Sequence, residues 1–165
     1  MSHLSVRRLI EDVARSLADN IQFSYGRHSE FNMIQNKSYP WIWMLPITAN
    51  PRFAVNDVEM YEKTWNLALM FFDKDAFDAN QHPSNDILDA QDHTIDRFIL
   101  RLNEWSKVAS QDSVGDVTLR GFNQQPFYKD DAGIHTGWLL TFQMVVPDDF
   151  EYCRPENVYV DAADN

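Results

Sequence analysis

Apolar residues recur at helical spacing through Leu4, Val6, Leu9, Ile10, Val13, Leu17 and Ile21, with Arg7, Arg8, Glu11, Asp12 and Arg15 opposite them. Positions three and four apart share one side of a helix, so residues 4–20 are predicted to form an amphipathic helix that buries one stripe. Ser24 to Ser38 has Gly26, Asn32, Asn36 and scattered aromatics, and reads as a connection or a short strand. Tyr39 to Thr48 is aromatic and branched, but Pro40 and Pro46 remove backbone donors, which predicts an edge or bulged strand. Between Val58 and Asp73 the period changes to two. Tyr61, Trp65, Leu67, Leu69 and Phe71 fall on one face, with Glu62, Thr64, Asn66, Ala68 and Met70 on the other.

His82-Pro83-Ser84-Asn85 is a helix start signal, and Ile87, Leu88, Gln91, Ile95, Phe98, Ile99, Leu102 and Trp105 keep the helical period for about five turns. Asp86 and Asp89 lie near the positive end of the helix dipole, and Arg97, Arg101 and Lys107 favour the negative end. Val117 to Phe122 reads as extended. Ile134 to Val146 alternates again, with Trp138, Leu140, Phe142, Met144 and Val146 on one face. Lys129-Asp130-Asp131-Ala132-Gly133 between them has hairpin chemistry, and Pro147-Asp148-Asp149 ends the last strand.

The order is therefore α-β-β-α-β-β. This is an α+β fold: an antiparallel β-sheet of about four strands with two helices packed on one face, an extended hairpin and a C-terminal arm. Residues 1–153 read as a single domain and residues 154–165 as an acidic arm with one extended patch, Val158-Tyr159-Val160. The sheet face turned away from the helices is not fully polar, because Met70, Phe72, Leu139 and Val145 fall on it. Contiguous apolar surface of that kind commonly marks a protein partner.

With 165 residues, 44% apolar and 13% aromatic, the chain is long and apolar enough to bury a core without disulfides or metals. Fourteen basic against twenty-five acidic residues give a formal charge of −11, which opposes approach to a phosphate backbone and excludes sequence-specific nucleic-acid binding from the expectations. The same sign would let DNA slide past without sticking. Cys153 is the single cysteine, so no internal disulfide and no paired-cysteine zinc or redox site can form, and the reducing cytoplasm is the natural compartment. The segment after Arg7-Arg8 is amphipathic, so no signal peptide is expected, and the longest apolar run, Leu67 to Phe72, is far too short to cross a bilayer as a helix.

Candidate chemistry is sparse. Serine-hydrolase elbows, phosphate-binding glycine loops and the zinc-protease helix motif are all missing. Asp89 and His93 stand i, i+4 on one helix face and could reach one cation, but such a pair on a charged helix face is more often solvated. Asp148, Asp149, Glu151 and Cys153 could gather round a hard cation, but acidic residues after a strand are more often an exposed turn. Trp41 and Trp43 share a face and, like Trp65, Trp105 and Trp138, fit core packing better than ligand stacking. No catalytic residue and no cofactor is expected.

The alternating strand ending in Leu69-Met70-Phe71-Phe72, the long helix Ile87 to Trp105 and the closing strand Gly137 to Val146, taken in this order, resemble the tail-terminator, tail-completion and head-tail joining proteins of tailed bacteriophages. The resemblance covers Leu4 to Val146 and is one of element order and length. It implies a six-fold or twelve-fold homo-oligomeric ring, stacked on other portal, neck or tail proteins, with the genome passing through its hole. It also implies a virion protein made in the host bacterial cytoplasm. The expected contact residues are Trp41, Trp43, Phe127, Tyr128, Val158, Tyr159 and Val160. Two other readings stay open: an acidic regulatory or inhibitor protein that occupies a basic partner, and a small metal-dependent enzyme built on Asp89 and His93.

Overall fold

The computed structural model describes residues 3–18, 20–31, 39–53, 61–75, 83–109, 117–128 and 135–147. The hairpin chemistry at 129–133, the turn at Asp148-Asp149, the second acidic cluster with Cys153 and the arm 154–165 lie outside them. The elements, in chain order, are α1 (His3–Arg15), β1 (Gln22–Tyr25), α2 (His28–Phe31), β2 (Trp41–Met44), β3 (Thr48–Phe53), β4 (Tyr61–Lys74), α3 (Pro83–Ala109), β5 (Thr118–Phe127) and β6 (His135–Pro147).

The α+β class agrees with the alternation and helical spacing, but the sheet is larger than expected and mixed. Six strands run β1-β2-β4-β6-β5, with β3 also on β4. β1 pairs parallel with β2, and every other pairing is antiparallel. The expected four-stranded antiparallel sheet is corrected at two places. β1 has only four residues, too short to show a period of two, and it occupies part of the stretch read as a connection. The strand expected over Tyr39 to Thr48 divides at Leu45-Pro46-Ile47.

That division has a geometric cause. Met44 sits opposite Leu69 and Thr48 opposite Asn66, so four steps along β2–β3 match three along β4. One extra residue makes a bulge and reverses which face the even-numbered positions occupy. Ile42 and Met44 therefore face the helices, whereas Thr48 faces away. The Leu45 amide still donates to the Ala68 carbonyl at 2.9 Å, so the two short strands follow one edge of β4 almost without interruption.

β4 and β6 pair over Glu62–Lys74 and form the centre of the sheet. Trp65, Leu67, Leu69 and Phe71 of β4 and Leu140, Phe142, Met144 and Val146 of β6 are all buried in one core. From above it, α1 contributes Val6, Leu9, Ile10 and Val13, and α3 contributes Ile95, Phe98, Leu102 and Trp105. Phe71 and Phe98 meet edge to face at 5.4 Å. α3 starts at Pro83, where a missing amide costs nothing in a first turn, and runs 27 residues to Ala109.

Arg97 and Arg101 have a role that the dipole argument did not foresee. Arg97 donates to the Leu17 carbonyl at 2.8 Å and Arg101 to the Ser16 carbonyl at 3.5 Å. These carbonyls lie just past α1, where the last turn leaves acceptors without helical donors. Two cations of α3 thus cap its neighbour and fix the two helices against each other.

Gly137 crosses β4 at Phe72. A methyl group there would run into the Phe71 carbonyl oxygen and the Phe72 Cα, backbone atoms that have no rotamer to turn aside. We expect Gly137→Ala to lower stability by about 2–3 kcal/mol, as overpacking does. Gly121→Ala, at a φ of 68° in open space, is expected to lose only about 1 kcal/mol, the cost of a left-handed residue. Urea midpoints with unchanged slopes check the order of the two.

Candidate functional site

Residues on neighbouring strand positions point to opposite faces, so the core on the helix side leaves a second set on the outer face. That outer face has two halves. At one end Trp41, Trp43 and Phe72 form a second small cluster, with Tyr39, Leu45, Met70 and Phe127 packed against it. At the other end the side chains are polar and hydrogen-bonded across four strands. Arg120 Nε donates to Gln143 Oε1 at 3.2 Å, Gln143 Nε2 to Asn66 Oδ1 at 3.0 Å, and Asn66 Nδ2 to Thr48 Oγ1 at 3.3 Å. A shallow groove crosses this polar half over Ala68 and Thr141, from Pro46 at one bulge to Gly121 at the other.

The aromatic half is closed within the chain. Trp41 is 5% exposed, Trp43 3% and Phe72 2%. The Trp43 indole donates to the Gly26 carbonyl at 3.0 Å, tying β2 to the end of β1. At its far edge His135 is fully buried, and its Nε2 shares a 2.8 Å hydrogen bond with the Tyr39 hydroxyl. Trp41 and Trp43, expected among the contact residues, are thus packing residues of a single subunit. Of the apolar outer positions seen in the sequence, Met70 and Phe72 pack into this cluster, Val145 is buried and Leu139 half-buried, so they leave no broad open apolar face among the described residues.

β5 is different. Among the described strands it pairs with β6 alone, and most of its residues are exposed. A second bulge falls between Arg120 and Asn123, where Gly121 takes its positive φ. The extra residue turns Phe122 toward the helix side, where it stacks on buried Phe142 at 5.1 Å yet stays 38% exposed. Phe127 is half-buried against Phe72, and Tyr128 just beyond it is 57% exposed. Of the expected contact residues, Phe127 and Tyr128 therefore lie at the open end of this edge. Val158, Tyr159 and Val160 lie outside the described residues.

Asp89 and His93 are both exposed on α3. No group of three or more His, Cys, Asp or Glu residues placed to hold a metal ion occurs among the described residues. The Thr136 hydroxyl donates to Asp75 Oδ2 at 2.7 Å, while His135, one residue earlier on the strand, points to the opposite face. Among the described residues no helix is long and apolar enough to cross a membrane.

For Asp89→Ala and His93→Ala we expect stability changes within about 0.5 kcal/mol, as for surface substitutions away from any packed feature. Equal zinc or manganese retention by the original chain and the double variant, measured by elemental analysis after dialysis, completes the test. A stabilisation by added metal that the original chain shows and the double variant lacks would support the cation site.

No protein-family model matches the chain, and no curated protein is significantly similar to it, so relatives assign it neither a family nor an activity.

Proposed function

We propose that the chain is a structural virion protein of a tailed bacteriophage, a subunit of a ring at the head–tail junction that joins portal and tail and lets the genome pass. Neck, connector and tail terminator are the positions such a ring can hold. The observation that carries this reading is the ten-residue β5, which among the described residues is a sheet edge paired on one side and largely exposed. Exposed edges of that length invite strand addition unless they are guarded or covered, which makes β5 an assembly surface.

Ring closure requires two unlike patches on one subunit that fit each other. A stable contact buries roughly 800 Å² per partner. The β5 edge with Phe122 and Tyr128 supplies one patch. The formal charge of −11 suits a channel wall that DNA must pass without binding.

One observation favours a second reading, an acidic protein that occupies a basic partner. Asp86, Asp89, Asp96 and Glu104 are exposed along α3, while the guanidinium groups of Arg97 and Arg101 are turned onto the α1 backbone. Salt separates the two readings. A complex held by that stripe loses affinity steeply with ionic strength, whereas an apolar and strand-paired ring does not.

Native mass spectrometry of the purified chain, alone and mixed with portal–tail particles, is expected to show six or twelve copies of the 19.3 kDa subunit. Negative-stain images of those assemblies should show an open ring. A subunit that stays monomeric in both settings overturns the proposal.

A further inference from the structure

Resting on the ring reading, we infer that the open edge of β5 is the acceptor for the Val158-Tyr159-Val160 segment of a second copy of this chain, which adds there as a short strand.

Among the exposed edges, β5 is the best suited. β1 offers four residues and β3 six, with Pro51 within it, whereas β5 offers ten. Its usable span is limited from both sides. Pro126 stands opposite Trp138 within the ladder, and proline is tolerated in a paired strand where its nitrogen points away from the partner. The donor missing at Pro126 is therefore one an incoming strand would need. The bulge at Gly121-Phe122 interrupts the edge again. What remains are two regular runs of three residues, Thr118–Arg120 and Asn123–Gln125, matching a three-residue branched and aromatic segment in length.

Charge agrees with this pairing. In a chain with twenty-five acidic residues, Thr118 to Tyr128 contains none, and Arg120 is its one charged side chain. The incoming segment is flanked by Glu156 and Asp161. Opposite charges set close across paired strands stabilise the pairing, and an acidic segment would be repelled by most of the rest of this surface.

Chain geometry favours a second copy over the same molecule. β6 ends at Pro147, beside the Thr118 end of β5. To add antiparallel to its own β5, the segment would have to run parallel to β6. Parallel neighbours in sequence need a crossover of a dozen or more residues, and only ten, 148–157, separate Pro147 from Val158. Adding parallel to β5 instead gives the weaker ladder. Between copies neither limit applies, since the eleven Cα-to-Cα steps from Pro147 to Val158 reach roughly 36–40 Å when extended.

The test compares the full chain with Val158→Pro/Val160→Pro, which keeps length and charge but removes the amides a ladder needs. In the assembled original, those amides of Thr118–Arg120 and Asn123–Gln125 that point away from β6 are expected to exchange at least roughly tenfold more slowly than in the variant. The variant's assemblies should also dissociate at concentrations where the original's persist. Equal exchange with the ring intact overturns this inference and leaves the ring reading standing. An original chain that never assembles overturns both, and protection of β5 that is independent of concentration and present in monomers places the segment on its own subunit, against the exchange between copies. A synthetic peptide of residues 155–163 added to the variant gives a separate reading. Restored slow exchange at β5 supports the site, and no change at millimolar peptide overturns it.

Discussion

The antiparallel pairing of β4 with β6 decides where almost every other residue of the sheet goes. Its register runs without a slip from Glu62 opposite Pro147 to Lys74 opposite His135. Because side chains alternate, a one-residue shift would move Leu67, Leu69 and Phe71 from the helix side to the outer face and bring Ala68, Met70 and Phe72 in. Loss of that burial, at about 25 cal/mol per Å² of apolar area, is far larger than any gain a shifted ladder could return. The helices α1 and α3 lie on the face so fixed. The shorter strands β2, β3 and β5 then adapt to the central pair through bulges, and the two bulges fall on opposite sides of it.

This division between a rigid centre and adapted flanks explains what could be read from the chain alone. The alternation in β4 and β6 and the spacing in α1 and α3 are long enough to carry a period, and these elements occur close to where the pattern places them. The Tyr39–Thr48 stretch carries its aromatic and branched signal through a bulge, so its alternation reverses half-way and no single period describes it. β1 is four residues on a parallel edge, and nothing local distinguishes it from a connection. Arg97 and Arg101 look like dipole partners of their own helix, because spacing along one helix says nothing about the carbonyls at the end of another.

The outer face shows a different limit. Its apolar positions were legible, since Met70 and Phe72 alternate out of phase with Leu69 and Phe71. Whether such residues are open depends on the size and angle of their neighbours across strands. Trp41, Trp43, Tyr39 and Phe72 are large enough to close over one another, with Tyr39 edge to face against Trp41 at 6.2 Å and against Phe72 at 6.4 Å. Among the described residues the open part of the sheet is therefore its β5 edge and not its outer face, along a mostly polar run that ends in the expected contact residues Phe127 and Tyr128.

That placement changes the kind of contact the protein can make. A broad apolar face would give an association driven by buried area and largely indifferent to register. An open edge gives one driven by backbone hydrogen bonds, whose direction is set by the strand and whose length is set by the bulge at Gly121 and by Pro126. Contacts of the second kind fix the angle between neighbouring subunits, and a repeated angle closes a ring where the rotation divides a full turn and runs on as a helical filament where it does not. The same two features that shield β5 from indiscriminate pairing, an interrupted ladder and a missing donor, are therefore also those that would make a permitted pairing geometrically definite.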